Sequence, residues 1–245
     1  GTNDSTFAVG TGFDNTVNAL LVNPADDSVI VGGAFTTYKT SNTVNRLVRL
    51  TSGGGIDSTF VTGTSVTTAN SAVLALAFDN ASPTKRVLIG GSFTTDNGNT
   101  INRLARLSSL GAFDSAFNPN VNGTVNTVIA VDNDDVLLGG TFSQVGAVAT
   151  RLLARVGVTA GARDSAIVMP FRGPGIVERL LPLPGGKVLA TVAFTHSGAT
   201  AVGGVLRLNA NLTFDTSFNP GGVVANGTIN AAVLQGDGLI VIGGS

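Results

Sequence analysis

The sequence has no cysteine and no tryptophan, and only one histidine, one tyrosine and one methionine. Without cysteine, disulfides and thiolate metal sites are excluded. Charge is scarce as well: Asp, Glu, Lys and Arg make up 12% of the 245 residues, with a formal net charge of −1. That is about half the usual charged fraction, so neutral Thr, Asn, Ser and Gly must cover the surface. The cations are few and scattered, which argues against nucleic acid or an anionic membrane as a partner, since those are held by clustered Lys and Arg, and membrane insertion is not expected either. No run approaches the ~18 apolar residues of a membrane helix, and no signal-peptide pattern opens the sequence. Helical periodicity is missing too, and Glu178 is the single glutamate.

What is present is self-similarity. Asp followed by Ser or Thr, a small residue and Phe occurs at Asp4–Phe7, Asp57–Phe60, Asp114–Phe117 and Asp215–Phe218, with a degraded copy from Asp164 to Ile167. The Asp-to-Asp steps are 53, 57, 50 and 51 residues. In phase with it, an apolar run enters Gly-Gly-x-Phe at Val29–Phe35, Val87–Phe93 and Val136–Phe142. In the fourth copy, Val188–Phe194, Thr191 and Val192 stand where the glycines belong, and a fifth ends at Gly243-Gly244-Ser245. A third marker closes a short apolar run at Arg49-Leu50, Arg106-Leu107, Arg155-Val156 and Arg207-Leu208. Repeats of this length are single supersecondary units that bury their faces only by stacking.

Each unit reads as four strands. The first precedes a turn rich in Asn, Asp, Gly and Pro, whose side chains and φ preferences suit hairpins. The second is the β-branched run into the glycine pair, the third carries Arg-Leu, and the fourth carries Asp-Ser-x-Phe. The expected fold is all-β: a β-propeller of about five four-stranded antiparallel blades, one of them incomplete or composite. The repeats run over about 4–56, 57–113, 114–163, 164–214 and, in part, 215–245. Their phase leads us to expect a segment of a longer or processed chain, its two ends meeting in one composite blade. Without Trp, and with Tyr38 alone, the blades lack the aromatic signatures of WD40 and kelch repeats.

With these markers the sequence resembles the delta-60 type β-propeller repeat family of bacterial secreted and surface proteins. The resemblance spans Asp4 to Gly244. It implies a propeller embedded in larger proteins, and it implies no catalytic residues.

The repeated polar residues read as scaffold. Arg precedes Asp by eight residues at Arg49/Asp57, Arg106/Asp114 and Arg207/Asp215, and by nine at Arg155/Asp164. That spacing places the two side chains opposite each other across a hairpin. The glycine pairs lack the Lys-Ser/Thr and the helix N-terminus of a phosphate loop. The acidic turn Asp132–Asp135 offers hard oxygens for Ca²⁺ but occurs once and lacks EF-loop spacing. No metal and no cofactor are expected. Glu178 and Arg179, as neighbours on a strand, are expected on opposite faces.

Recognition is expected on loops held by the rigid scaffold. The second-to-third and blade-to-blade connections are long, and both lie on one end of a propeller. Candidate binding residues there are Tyr38, Lys39, Asp96, Asn97, Asn99, Phe171, Arg172 and His196. Phe171 and Arg172 belong to the stretch Met169–Gly175 of the degraded repeat, where a break in local consistency can mark function. The expected function is a non-catalytic binding or architectural module of an extracellular, cell-surface protein, adhesive or structural, contacting protein or glycan. Two alternatives are a glycan hydrolase or lyase with an axial site, and a self-assembling structural subunit, as in a virion, whose partners are other copies. An enzyme would show several ionisable side chains converging on the axis.

Overall fold

The computed structural model describes residues 4–40, 42–60, 71–79, 84–96, 99–131, 135–164, 175–193, 196–197, 200–201, 204–218 and 229–244. Its strands form five principal antiparallel sheets, one per repeat. The first holds β1 (Val17–Val22) and β2 (Val29–Gly33), followed after the hairpin β3 (Thr37–Tyr38)/β4 (Asn42–Thr43) by β5 (Leu47–Leu50). The second holds β6 (Val73–Phe78), β7 (Val87–Gly91), the hairpin β8 (Thr95–Asp96)/β9 (Asn99–Thr100) and β10 (Leu104–Leu107). The third holds β11 (Val125–Val131), β12 (Asp135–Gly140), the hairpin β13 (Gln144–Val145)/β14 (Val148–Ala149) and β15 (Leu153–Gly157). The fourth holds β16 (Val177–Pro182), β17 (Val188–Val192), the hairpin β18 (His196–Ser197)/β19 (Thr200–Ala201) and β20 (Val205–Leu208). The fifth pairs β21 (Ile229–Leu234) with β22 (Ile240–Gly244).

The Asp-Ser-x-Phe segment is not a full fourth strand. Among the described residues it joins its sheet through a single bridge: Leu50 with Ile56, Leu107 with Phe113, Val156 with Arg163 and Leu208 with Phe214. The reason is local. Asp57 Oδ1 accepts the backbone N–H of Thr59 at 2.9 Å and its hydroxyl at 2.7 Å, and the N–H of Phe60 turns back onto the Asp57 carbonyl at 3.2 Å. Asp215 does the same with Ser217 and Phe218. These side-chain bonds compete with the ladder and curl the chain into a turn.

The core lies between the sheets, because each has two apolar faces and no partner of its own. Ile30 and Leu47 of the first sheet pack with Val73, Val87 and Ile89 of the second. Leu88 and Leu104 of the second pack with Val125 and Val128 of the third, and Leu137 and Leu153 of the third with Val177 and Leu180 of the fourth. Each such buried side chain contributes about 1.5–3 kcal/mol by leaving water. The inner strands follow one another as neighbours in the order β1, β6, β11, β16, β21.

The repeated glycines shape these interfaces. A Cβ on Gly32 would stand 2.6 Å from Val73 Cγ1, one on Gly90 2.8 Å from Val125 Cγ1, and one on Gly139 2.5 Å from Val177 Cγ1. The first glycine of each pair is thus a hole for the valine that opens the next sheet. In the fourth sheet Thr191 replaces it, and its hydroxyl donates to the Ile229 carbonyl at 3.3 Å.

The outer rim carries the Arg–Asp pairs. Arg49 Nε stands 2.7 Å from Asp57, Arg106 Nη2 2.8 Å from Asp114, Arg155 Nε 2.9 Å from Asp164, and Arg207 Nε 2.8 Å from Asp215. The same guanidiniums lie over the Phe of the motif, 4.9 Å from the Phe60 centroid, 4.7 Å from Phe117 and 4.7 Å from Phe218. They also reach the following sheet: Arg49 donates to the Ser109 carbonyl at 2.7 Å, and Arg106 donates to that of Val158.

The expected joining of the ends in a composite blade is not formed among the described residues. The backward side of the first sheet and the forward side of the fifth are exposed at Leu20, Val22, Val233 and Val241. The fifth sheet has two strands among the described residues. Phe7 packs with Val31, Phe35 and Leu50 of the first sheet, as Phe60 and Phe117 pack on the sheets that follow them.

Candidate axial binding site

Every inner strand opens with Val or Ile followed by one residue that does not pair. The register jumps between Val17 and Ala19, Val73 and Ala75, Val125 and Thr127, Val177 and Arg179, and Ile229 and Ala231. Each jump is a β-bulge, which re-aims the side chain of the extra residue. Those residues are Asn18, Leu74, Asn126, Glu178 and Asn230, at steps of 56, 52, 52 and 52.

Together with Arg179 these five side chains line one cavity of about 160 Å³. Because it takes one residue from each of five sheets, it lies on the axis around which they are arranged. Val17 pairs with Gly33, where β2 ends and the β3/β4 hairpin departs, so the cavity is at the long-connection end.

The bulges explain why Glu178 and Arg179 share a site. Strand alternation predicts opposite faces, but the irregularity between Val177 and Arg179 brings both side chains to the axis. The expectation of opposite faces is corrected here. The repeat at the bulge positions, a Val or Ile and then Asn in three of five copies, is the sequence signal that reveals the ring.

Hydrogen bonds tie the ring together from sheet to sheet. Asn18 Nδ2 donates to the Val73 carbonyl at 3.1 Å, and Asn126 Nδ2 donates to the Val177 carbonyl at 3.3 Å and to Glu178 Oε2 at 3.5 Å. Arg179 donates from Nε to the Asn230 carbonyl at 2.9 Å and from Nη1 to that of Asn126 at 3.5 Å. Below them the Thr127 hydroxyl accepts the buried N–H of Leu180 at 3.1 Å. The wall offers amides that donate and accept, with one carboxylate and one guanidinium.

The loop residues singled out from sequence fare differently. Tyr38 is buried at 0% exposure, tilted against Phe13 at 4.6 Å, and its hydroxyl donates to the Gly54 carbonyl at 2.7 Å. It is a core anchor of the first hairpin and not a surface contact, because that hydrogen bond lets a phenol replace a core Phe. Burial raises its pKa above the ordinary phenolic value. Lys39 is half-buried, with Nζ 5.2 Å from the Tyr38 ring centroid. Asp96 pairs with Asn99 and His196 with Ala201 through their backbones; their side chains, like Asn97, Phe171 and Arg172 entirely, lie outside the described residues. Of the acidic turn, Asp135 faces Arg155 at 3.3 Å, and residues 132–134 lie outside the described residues.

A family model and one solved structure agree with this architecture. A family model described as a domain of unknown function (DUF5122), beta-propeller, matches residues 25–60, 83–117 and 183–218. The chain therefore carries β-propeller repeats. Among solved structures it is similar to the extracellular domain of a protein described as a hybrid two component system from B. thetaiotaomicron, with TM-score 0.53 and 13% identity. That alignment covers 95% of this chain and 32% of the other, so the chain spans about a third of its length. A protein of unknown function from Bacteroides caccae aligns at TM-score 0.40 and 9% identity, over 82% of this chain and 81% of its own. No curated protein matches the sequence. Among the described residues, no helix is long and apolar enough to cross a membrane.

Proposed function

We propose that this chain is a non-catalytic binding module of an extracellular protein, which holds a protein or glycan ligand at its long-connection end. The observation that carries the reading is the axial cavity, to which each of five sheets sends one bulged side chain. A site built from Asn18, Asn126 and Asn230 offers neutral donors and acceptors, suited to hydroxyl or amide groups. Glu178 and Arg179 add one anchoring charge of each sign. A cavity of about 160 Å³ is small beside the ~300–1,000 Å³ of pockets that enclose whole ligands. It suits one protruding group, a sugar ring or a side chain, of a ligand that spreads over the hairpins around it.

The extracellular assignment draws on the neutral, Thr- and Asn-rich composition and on the likeness to an extracellular domain. A glycan array, followed by calorimetry on any hit, tests the reading. Binding should fall at least tenfold in Asn126→Ala and Arg179→Ala, while Leu110→Thr, at an exposed turn on the opposite end, leaves it unchanged. Turnover of a bound glycan would replace this reading with the enzymatic one. Binding that ignores both axial variants would remove the site.

A further inference from the structure

The backbone of the axial ring dictates which way its amides face. Asn18 Nδ2 donates to the Val73 carbonyl and Asn126 Nδ2 to that of Val177. A carbonyl oxygen only accepts, so each amide turns its nitrogen to the neighbouring sheet and its oxygen away from it. Among the described residues neither Asn18 Oδ1 nor Asn126 Oδ1 accepts a hydrogen bond, and neither oxygen is shut off from the cavity that the two half-buried side chains line. The Glu178 carboxylate is equally open, its one contact there being the 3.5 Å bond from Asn126. Two amide oxygens and a carboxylate therefore stand ready to accept.

Arg179 supplies the opposite chemistry. Its Nε and Nη1 donate to the Asn230 and Asn126 carbonyls, which leaves Nη2 without a partner among the described residues. Glu178 and Arg179 flank Asn126, one beside its amide and the other beside its backbone carbonyl. Yet they do not neutralise each other: among the described residues no ion pair joins them, and neither pairs with another charge.

Two opposite charges held apart in one wall are answered best by a ligand that carries both signs. A bare metal cation does not fit, because a guanidinium stands in the same wall and one carboxylate falls short of the about six to eight oxygens that Ca²⁺ takes. A simple anion meets Glu178. A hydroxyl donates one hydrogen, whereas an ammonium donates three, one for each of the open acceptors.

We infer that the axial site takes an α-aminoacyl head group, its ammonium held by Glu178, Asn18 and Asn126 and its carbonyl or carboxylate oxygen by Arg179. In such a head only two carbons separate the nitrogen from the oxygen, so one small group reaches both charges. Leu74 gives the wall an apolar patch, which suits a small apolar side chain on that head. A free amino acid and the unblocked N-terminus of a polypeptide share this chemistry. The inference rests on the axial reading above and names the group held there.

Calorimetry of the whole chain with alanine, trialanine and N-acetyl-trialanine tests it. Alanine or trialanine should bind, and acetylation, which removes the ammonium, should weaken trialanine at least tenfold. That comparison alters the ligand alone and does not depend on the folding of a variant. Glu178→Gln should weaken the unblocked probes at least tenfold. Tighter binding of alanine assigns the site to free amino acids, and tighter binding of trialanine assigns it to polypeptide ends; either supports the inference. It is overturned if neither unblocked probe binds, if acetylated trialanine binds as well as the free form, or if Glu178→Gln changes nothing. A glycan that binds instead and is lost in Asn126→Ala would keep the axial reading with a sugar as occupant. A ligand indifferent to both Asn126→Ala and Arg179→Ala removes that reading itself.

Discussion

The Arg106 guanidinium donates to the Asp114 carboxylate at 2.9 and 2.8 Å while its face covers the Phe117 ring and its Nη1 reaches the Val158 carbonyl of the next sheet. One side chain thus closes the outer turn of its own blade and clamps the following one. The side chain of Arg106 is 3% exposed and faces Asp79, itself 0% exposed, at 3.5 Å, with Arg86 2.7 Å from the same carboxylate. Water cannot replace these partners, so the ion pair is worth most where one member is lost.

Arg106→Ala should therefore destabilise the chain by about 3–5 kcal/mol, because it removes a buried cation from the partly exposed Asp114 and leaves the buried Asp79 to Arg86 alone. Arg207, 25% exposed, shares the 6% exposed Asp215 with Lys187 at 2.6 Å, so Arg207→Ala leaves that carboxylate a cation and should cost about 1 kcal/mol. Chemical denaturation of both variants checks the ranking. Equal effects would show that burial does not set the strength of the rim pairs.

Position along the stack decides what a glycine tolerates. A Cβ on Gly91 would lie 2.2 Å from the Ala72 carbonyl oxygen, and one on Gly90 2.8 Å from Val125. Gly91→Ala and Gly90→Ala should each cost about 1–3 kcal/mol through displaced backbone and overpacking. Gly243→Ala, in open space, should leave the melting midpoint of dilute protein unchanged. A loss at Gly243 comparable to that at Gly90 would show that the space beside a glycine does not set its tolerance.

These contrasts separate what the sequence makes legible from what it hides. The blades, their turns and the Arg-to-Asp pairing follow from residue types at fixed spacing, since each is a local rule repeated in every unit. The axial ring does not, because a bulge breaks the two-residue period from which strand faces are read. Glu178 and Arg179 were therefore expected apart and are found together. Tyr38 misleads for another reason: a polar aromatic in a loop-like stretch looks exposed until the Gly54 carbonyl that receives its hydroxyl is seen. The shortened fourth strand reflects competition by Asp57 and Asp215 for backbone N–H groups, which strand patterning does not register.

Tyr38 supplies a prediction with a unique spectroscopic handle, as it is the single tyrosine. Its phenol should ionise above the ordinary ~10, because burial disfavours the anion. The sign follows: the folded state favours the neutral phenol, so stability declines as pH rises past the unfolded value. Tyr38→Phe leaves the Gly54 carbonyl without this donor and should cost about 1–3 kcal/mol. Phenolate absorbance that titrates at the free-tyrosine value in folded protein would contradict the burial.

Asp14 fixes the acid behaviour of the first hairpin. Its carboxylate accepts the Thr36 hydroxyl at 2.6 Å and the N–H groups of Thr36 and Thr37 at 2.8 and 2.9 Å. Those bonds, the Thr36 hydroxyl foremost, hold its pKa at about 2, down from 3.8. A carboxyl depressed in the folded state stabilises it fully above the unfolded value, and that contribution fades as pH falls from near 3.8 to about 2. The thermal midpoint of the wild type should therefore drop through this window, and Asp14→Asn should flatten that part of the profile while lowering the midpoint at neutral pH. A carboxyl carbon resonance of Asp14 that titrates near 3.8 in the folded protein would show that the tie between the Phe13–Asp14 segment and the hairpin is not held in solution, and the flattening would then not appear.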